Sequence, residues 1–107
     1  MTHAIRSGLV LASVAALAVA VSFSQSAGET VYKQKCVTCH GSDGLASSGV
    51  GKVMRVKPAT DPEVKKLSEA ELIALTRNGA GKMQPYQGEL TDAEIKASVD
   101  YFRRFIK

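Results

Sequence analysis

Cys36, Cys39 and His40 stand in the order Cys36-Val37-Thr38-Cys39-His40, the stretch of this chain whose residue types and spacing define a chemistry. The pattern C-x-x-C-H is the attachment signature of a c-type haem. Two thiols three positions apart can each add to a vinyl group of one porphyrin. The histidine after them is then held under the iron as its proximal ligand. Only the two cysteines and the histidine are specified, so the pattern gains weight from its surroundings. An export-type leader precedes it, and a methionine-bearing loop lies downstream.

Other uses of the two cysteines fit less well. A structural zinc site needs four N or S ligands. The chain has two Cys and two His, and His3 lies in the apparent leader, which leaves three candidates outside it. A thioredoxin-like pair also uses C-x-x-C, but after a strand in a βαβ unit. No β-rich run flanks Cys36. A plain disulfide suits an exported protein but gives His40 no role.

Methionine is the soft partner that raises the potential of a haem iron relative to His/His ligation. Met83 lies in the loop Ala80-Gly81-Lys82-Met83-Gln84-Pro85-Tyr86-Gln87-Gly88-Glu89-Leu90. Met54 is its rival, closer in sequence to His40 and set in the apolar patch of Val53 and Val56. Packing is the plainer role for Met54, because methionine fills irregular gaps. Met83 is preferred, since a loop pinned at both ends can hold a ligand rigidly.

The elements that must position these residues are short helices. Glu29 to Lys35 has helical character and leads into Cys36. Gly28 and Tyr32 lie eight and four residues before Cys36, which stacks all three on one face. A glycine there lets another helix approach closely. Residues Gly41 to Gly51 read as a turn-rich loop, and Pro58 and Pro62 punctuate the stretch after it. Ser68-Glu69-Ala70-Glu71 is a capping box opening a helix that Asn78-Gly79 ends. A second box, Thr91-Asp92-Ala93-Glu94, opens the last helix. There Ile95, Val99, Phe102 and Ile106 form an amphipathic stripe, broadened by Tyr101 and Phe105. Arg103, Arg104 and Lys107 suit the negative end of that helix.

The first 27 residues have the layout of a secretory signal peptide. Arg6 precedes an apolar run from Gly8 to Phe23, and small residues come next at Ser24, Ser26 and Ala27. The expected cleavage region is 24–27. The run is short against the roughly 20 residues of a membrane span. A retained anchor is the alternative. The remainder, 28–107, is one small domain. A core of that size is marginal without a staple, which a covalent haem would supply.

Outside the leader, 13 basic and 10 acidic residues remain, a net charge of +3. They are dispersed, with no block of like charge, which argues against nucleic-acid binding. A local patch for docking an acidic partner stays open.

In this order, these pieces resemble the class I c-type cytochromes over essentially the whole of 28–107. The segment Asn78-Gly79-Ala80-Gly81-Lys82-Met83, with Pro85-Tyr86 after it, looks like the methionine loop of small bacterial members. The resemblance implies an all-α cytochrome c fold: short helices around one covalently attached haem c. It implies that Cys36 and Cys39 hold the haem and that His40 and Met83 ligate its iron. It matches Gly28 and Tyr32 to positions that meet the C-terminal helix, and Tyr101 to the aromatic partner there. Two departures stand out. Gln84 separates Met83 from Pro85. The proline whose carbonyl would orient the proximal histidine is missing near His40, the nearest being Pro58, which leaves the orienting carbonyl open.

The expected function is a periplasmic, monomeric carrier of single electrons between redox partner proteins, and not an enzyme. Lys33, Lys35, Lys52 and Lys82 are the candidate steering charges around the haem edge. A dedicated haem c subunit of a periplasmic oxidoreductase complex is the second reading. A catalytic or gas-sensing haem protein is a third; it requires an open axial position, and the chain offers no obvious distal acid or base pair.

Overall fold

The computed structural model describes Gly8 and residues 23–107, with side chains from residue 27 onward. The expected leader, 1–27, therefore lies outside the described residues except for Gly8 and residues 23–27. Regular structure among the described residues is helical throughout: α1 (Phe23–Lys35), α2 (Val37–His40), α3 (Gly49–Val53), α4 (Pro62–Lys65), α5 (Glu69–Asn78) and α6 (Asp92–Arg103). The all-α expectation holds. None of these helices is long and apolar enough to cross a membrane.

The packing of α1 on α6 is the backbone of the fold, and Gly28 makes it possible. A Cβ at Gly28 would stand 2.2 Å from the Ala97 carbonyl oxygen and 3.3 Å from Tyr101 Cβ. One turn on, Tyr32 is 1% exposed and its ring lies 5.1 Å from that of Tyr101. Gly28, Tyr32 and Tyr101 thus meet as the resemblance implied. Among the described residues the helix already runs at Phe23, ahead of the expected Glu29.

α6 carries most of the buried stripe. Ile95 is 0% exposed, and Ala97, Ser98 and Val99 are buried with it. Its N-terminus is a complete capping box: Thr91 accepts from Glu94 N–H at 3.1 Å, and the Glu94 carboxylate accepts from Thr91 N–H at 3.0 Å. The box expected at Ser68 forms only in half. Ser68 Oγ caps Glu71 N–H, but the Glu71 carboxylate takes the Ser68 hydroxyl proton and not the backbone N–H. Glu69 joins α5 to α6 by bonding both Lys96 and Arg103. Such exposed pairs contribute little.

One expectation about the connections needs correction. The region read as one loop, 41–51, contains the start of α3. Ser48 caps that helix by accepting from Gly51 N–H at 3.0 Å. As expected, α5 ends at Asn78-Gly79, with the positive φ falling on Gly79. Asn78 stays helical and Gly79 has φ 77° and ψ 163°, a conformation that only glycine takes readily. The chain then doubles back, and Tyr86 and Gln87 donate their N–H groups to the carbonyls of Thr76 and Arg77 at 3.1 Å each. The last turn of α5 is satisfied in this way.

Candidate functional site

The first helix runs into the cysteine segment almost without a break. Cys36 N–H donates to the Tyr32 carbonyl, and the Cys36 carbonyl accepts from His40 N–H, both at 2.9 Å. Cys36 opens α2 without a side-chain cap, so its thiol is not spent on the backbone there. Both cysteines are free and half-buried. Burial, and then the neighbouring Cys39, pushes the Cys36 thiol up to about 11. A redox-exchange pair depends on a lowered thiol pKa, so the thioredoxin-like reading is not favoured.

His40 ends α2 with its Nδ1 buried and without a hydrogen-bond partner among the described residues. Burial also holds its pKa below the ordinary 6.5. The imidazole is therefore neutral at pH 7, the form in which histidine binds metals. No carbonyl among the described residues accepts a hydrogen bond from Nδ1. The ring instead stands edge-on to Phe102, 5.3 Å between centroids.

Gly41, next in the chain, has φ 79° and ψ 161°, again a glycine conformation. Its carbonyl accepts from Tyr32 Oη at 2.6 Å. Burial pushes that phenol well above its usual range. Tyr32 also meets Phe102 and Phe105 at 6.4 and 5.7 Å. One aromatic cluster from α1 and the α6 end of the chain thus backs both the histidine and the residue after it.

α3 closes the other side of α2. The Ser48 hydroxyl that caps α3 also donates to the Thr38 carbonyl at 2.8 Å. Gly51 packs so closely that a Cβ there would lie 2.5 Å from the Cys39 carbonyl oxygen. Met54, at the end of this helix, is half-buried.

Met83 is half-buried too, in a loop with its own frame. Ala80 and Met83 exchange backbone hydrogen bonds at 2.9 and 3.1 Å. A Cβ on Gly79 would meet Met83 O at 2.8 Å and Pro85 N at 2.9 Å. Beyond it, Tyr86 Oη donates to the Lys35 carbonyl at 3.2 Å, and Lys35 pairs with Glu89 at 3.1 Å. The methionine loop is therefore seated on the residue before Cys36. Both methionines lie on segments held against the cysteine segment, but only the loop of Met83 is tied to its start.

Sequence reasoning missed Tyr86 and Ser48 as organisers of the site. Tyr86 lies three residues past Met83 and reads in the sequence only as part of a motif, while its bond to Lys35 spans 51 residues. Ser48 reads as one more small loop residue. Of the four lysines expected at the rim, Lys33 pairs with Glu29 and Lys35 with Glu89. Lys52 and Lys82 are exposed and make no ion pair among the described residues.

The donor set fits a haem c: two half-buried thiols on one helical turn, a neutral imidazole with a buried unpartnered nitrogen, and thioethers on adjoining segments. Among the described residues the fully buried large side chains are Tyr32 and Ile95, a core small enough to be built around such a group.

The family described as "Cytochrome C oxidase, cbb3-type, subunit III" matches residues 24–102. Among solved structures, the KustC0563 c-type cytochrome is 34% identical with a TM-score of 0.68, and the match covers 75% of this chain and 98% of that one. A point mutant of Kustc0563 is 32% identical with a TM-score of 0.65, covering 73% and 96%. Cytochrome c6 from the diatom Phaeodactylum tricornutum shares the fold at 22% identity and a TM-score of 0.58, covering 76% and 92%. No curated protein matches the chain.

Proposed function

The chain belongs to the c-type cytochromes, as a small class I member with covalently bound haem c and its iron, and on that premise we propose that it is an exported monohaem carrier of single electrons. In this reading Cys36 and Cys39 form the two thioether bonds and His40 and Met83 ligate the iron. The observation that carries it is the seating of the Met83 loop on the segment that bears both cysteines and the histidine, through Tyr86 and Lys35.

The haem iron supplies the one-electron couple. The chain's part is to hold the ligands still. Burial keeps His40 neutral, Phe102 fixes its ring, and Tyr32 pins the carbonyl of Gly41 behind it. On the other side, Gly79 and the Ala80–Met83 pairing set the methionine loop. With His40 and Met83 both holding the iron, no place would be left for a substrate and reorganisation would stay small, as electron exchange requires. Lys52 and Lys82, unpaired among the described residues, remain the candidate charges for steering an acidic redox partner.

Absorption spectra of the purified protein in both redox states test this. A low-spin haem that resists denaturing extraction, shows a sulfur-to-iron band when oxidised and binds no carbon monoxide when reduced at neutral pH is the expected result. Extractable haem, or ready binding of carbon monoxide, would reject it.

A second reading, a dedicated haem c subunit of a periplasmic oxidoreductase, is favoured by one feature. Val53, on the helix packed against Cys39, is 75% exposed, and Val50 is 45% exposed. The matching family's description as an oxidase subunit points the same way. A diffusing carrier elutes as a monomer at moderate salt, whereas a dedicated subunit co-elutes with one oxidoreductase.

A further inference from the structure

The loop that carries Met83 is referenced to the haem attachment point itself, not only to the helices behind it. Tyr86 Oη bonds the carbonyl of Lys35, the residue directly before Cys36. Glu89 then grips both sides of that joint. One carboxylate oxygen takes Lys35 Nζ at 3.1 Å, and the other takes Gln84 Nε2 at 3.3 Å. Pro85 stands between Gln84 and Tyr86 and restricts the backbone there. The Tyr86 ring is half-buried, and burial raises its hydroxyl pKa, so the phenol stays a proton donor at neutral pH. Gln84, which separates Met83 from Pro85, thereby acquires a partner.

We propose that Tyr86 is a positioning residue for Met83, its hydroxyl on the Lys35 carbonyl forming, with Glu89, a latch that resists displacement of the thioether by outside ligands. The proposal rests on the reading of Met83 as the axial ligand. If Met83 swings away together with residues 84–86, the Tyr86 N–H bond to the Thr76 carbonyl must break, and so must the Tyr86–Lys35 hydroxyl bond. Tyr86→Phe removes that bond while keeping the ring.

The test is an imidazole titration of the oxidised holoprotein, followed at the sulfur-to-iron near-infrared band. Tyr86→Phe is expected to keep the band in plain buffer and lose it at a roughly two- to ten-fold lower imidazole concentration, the worth of one hydrogen bond. Glu89→Ala is expected to shift the midpoint in the same direction by less, and the difference should shrink at high salt. Asp61→Ala uncaps α4 and shares no hydrogen bond with the loop, so it should unfold earlier in urea yet keep the parent's imidazole midpoint. An unchanged midpoint in Tyr86→Phe overturns the latch, and so does an equal shift in Asp61→Ala, which would make the effect one of general stability. A parent band that survives Met83→Ala overturns the axial assignment and the latch together.

Discussion

Gly28 on α1 and Ala97 on α6 touch through bare backbone: a Cβ added at Gly28 would stand 2.2 Å from the Ala97 carbonyl oxygen. Real atoms do not approach so closely, so Gly28→Ala must push the two helices apart. The same two helices hold the Tyr32–Tyr101 contact and the Phe102 ring against His40. The substitution is expected to destabilise the holoprotein by about 3 kcal/mol or more, read as a lower urea midpoint. A midpoint equal to the parent's would show that the helices do not need this contact.

Gly79 and Gly81 both have positive φ, 77° and 56°, but they differ in surroundings. At Gly79 a Cβ would collide with the backbone of Met83 and Pro85, while at Gly81 it would meet open space. Gly79→Ala should weaken or abolish the sulfur-to-iron band by displacing the methionine loop. Gly81→Ala should keep the band and cost only about 1 kcal/mol, the strain of a left-handed alanine. Near-infrared spectra of the two variants, with urea melts, check this pair.

Met83→Ala is expected to remove the near-infrared band and lower the reduction potential, because the thioether favours ferrous iron. Met54→Ala should keep the band. Met54 is half-buried, so its loss should cost roughly 1–2 kcal/mol, below the range for a fully buried methionine. Loss of the band in Met54→Ala alone would move the axial ligand to the end of α3.

The capping box of α6 gives a pH dependence with a definite sign. The hydrogen bonds from the Thr91 backbone and then its side chain hold the Glu94 carboxyl below its ordinary 4.5. Its contribution to stability is therefore fully present above pH 4.5 and is lost as pH falls through the lowered value in the folded protein. Thr91→Ala should destabilise by about 1 kcal/mol at pH 7. That variant keeps the backbone N–H that holds Glu94, so the pH test uses Glu94→Ala: its gap from the parent should narrow in urea melts carried down to acid pH. A gap that widens toward low pH would show that the cap is not what holds the Glu94 carboxyl down.

Much of this protein is determined locally, and there the sequence speaks for itself. The C-x-x-C-H run, the Thr91-x-x-Glu94 box, the stripe from Ile95 to Val99 and the spacing of Gly28 and Tyr32 each depend on neighbours within one or two helical turns. What the sequence alone could not settle depends on residues far apart. Whether a carbonyl orients His40, which lysines are already paired, and what seats the Met83 loop are questions of approach between segments. Tyr86 finds Lys35 only because α5 reverses at Gly79 and the returning chain spends two N–H groups on that helix's last carbonyls. Ser48 reaches Thr38 only because Gly51, lacking a Cβ, lets α3 lie against Cys39. Hydrogen bonds of this kind carry no periodicity, since each is made by a single polar group whose partner is chosen by packing. The chemistry is thus written in the order of residues, and the rigidity that suits it to electron transfer is decided by the tertiary structure.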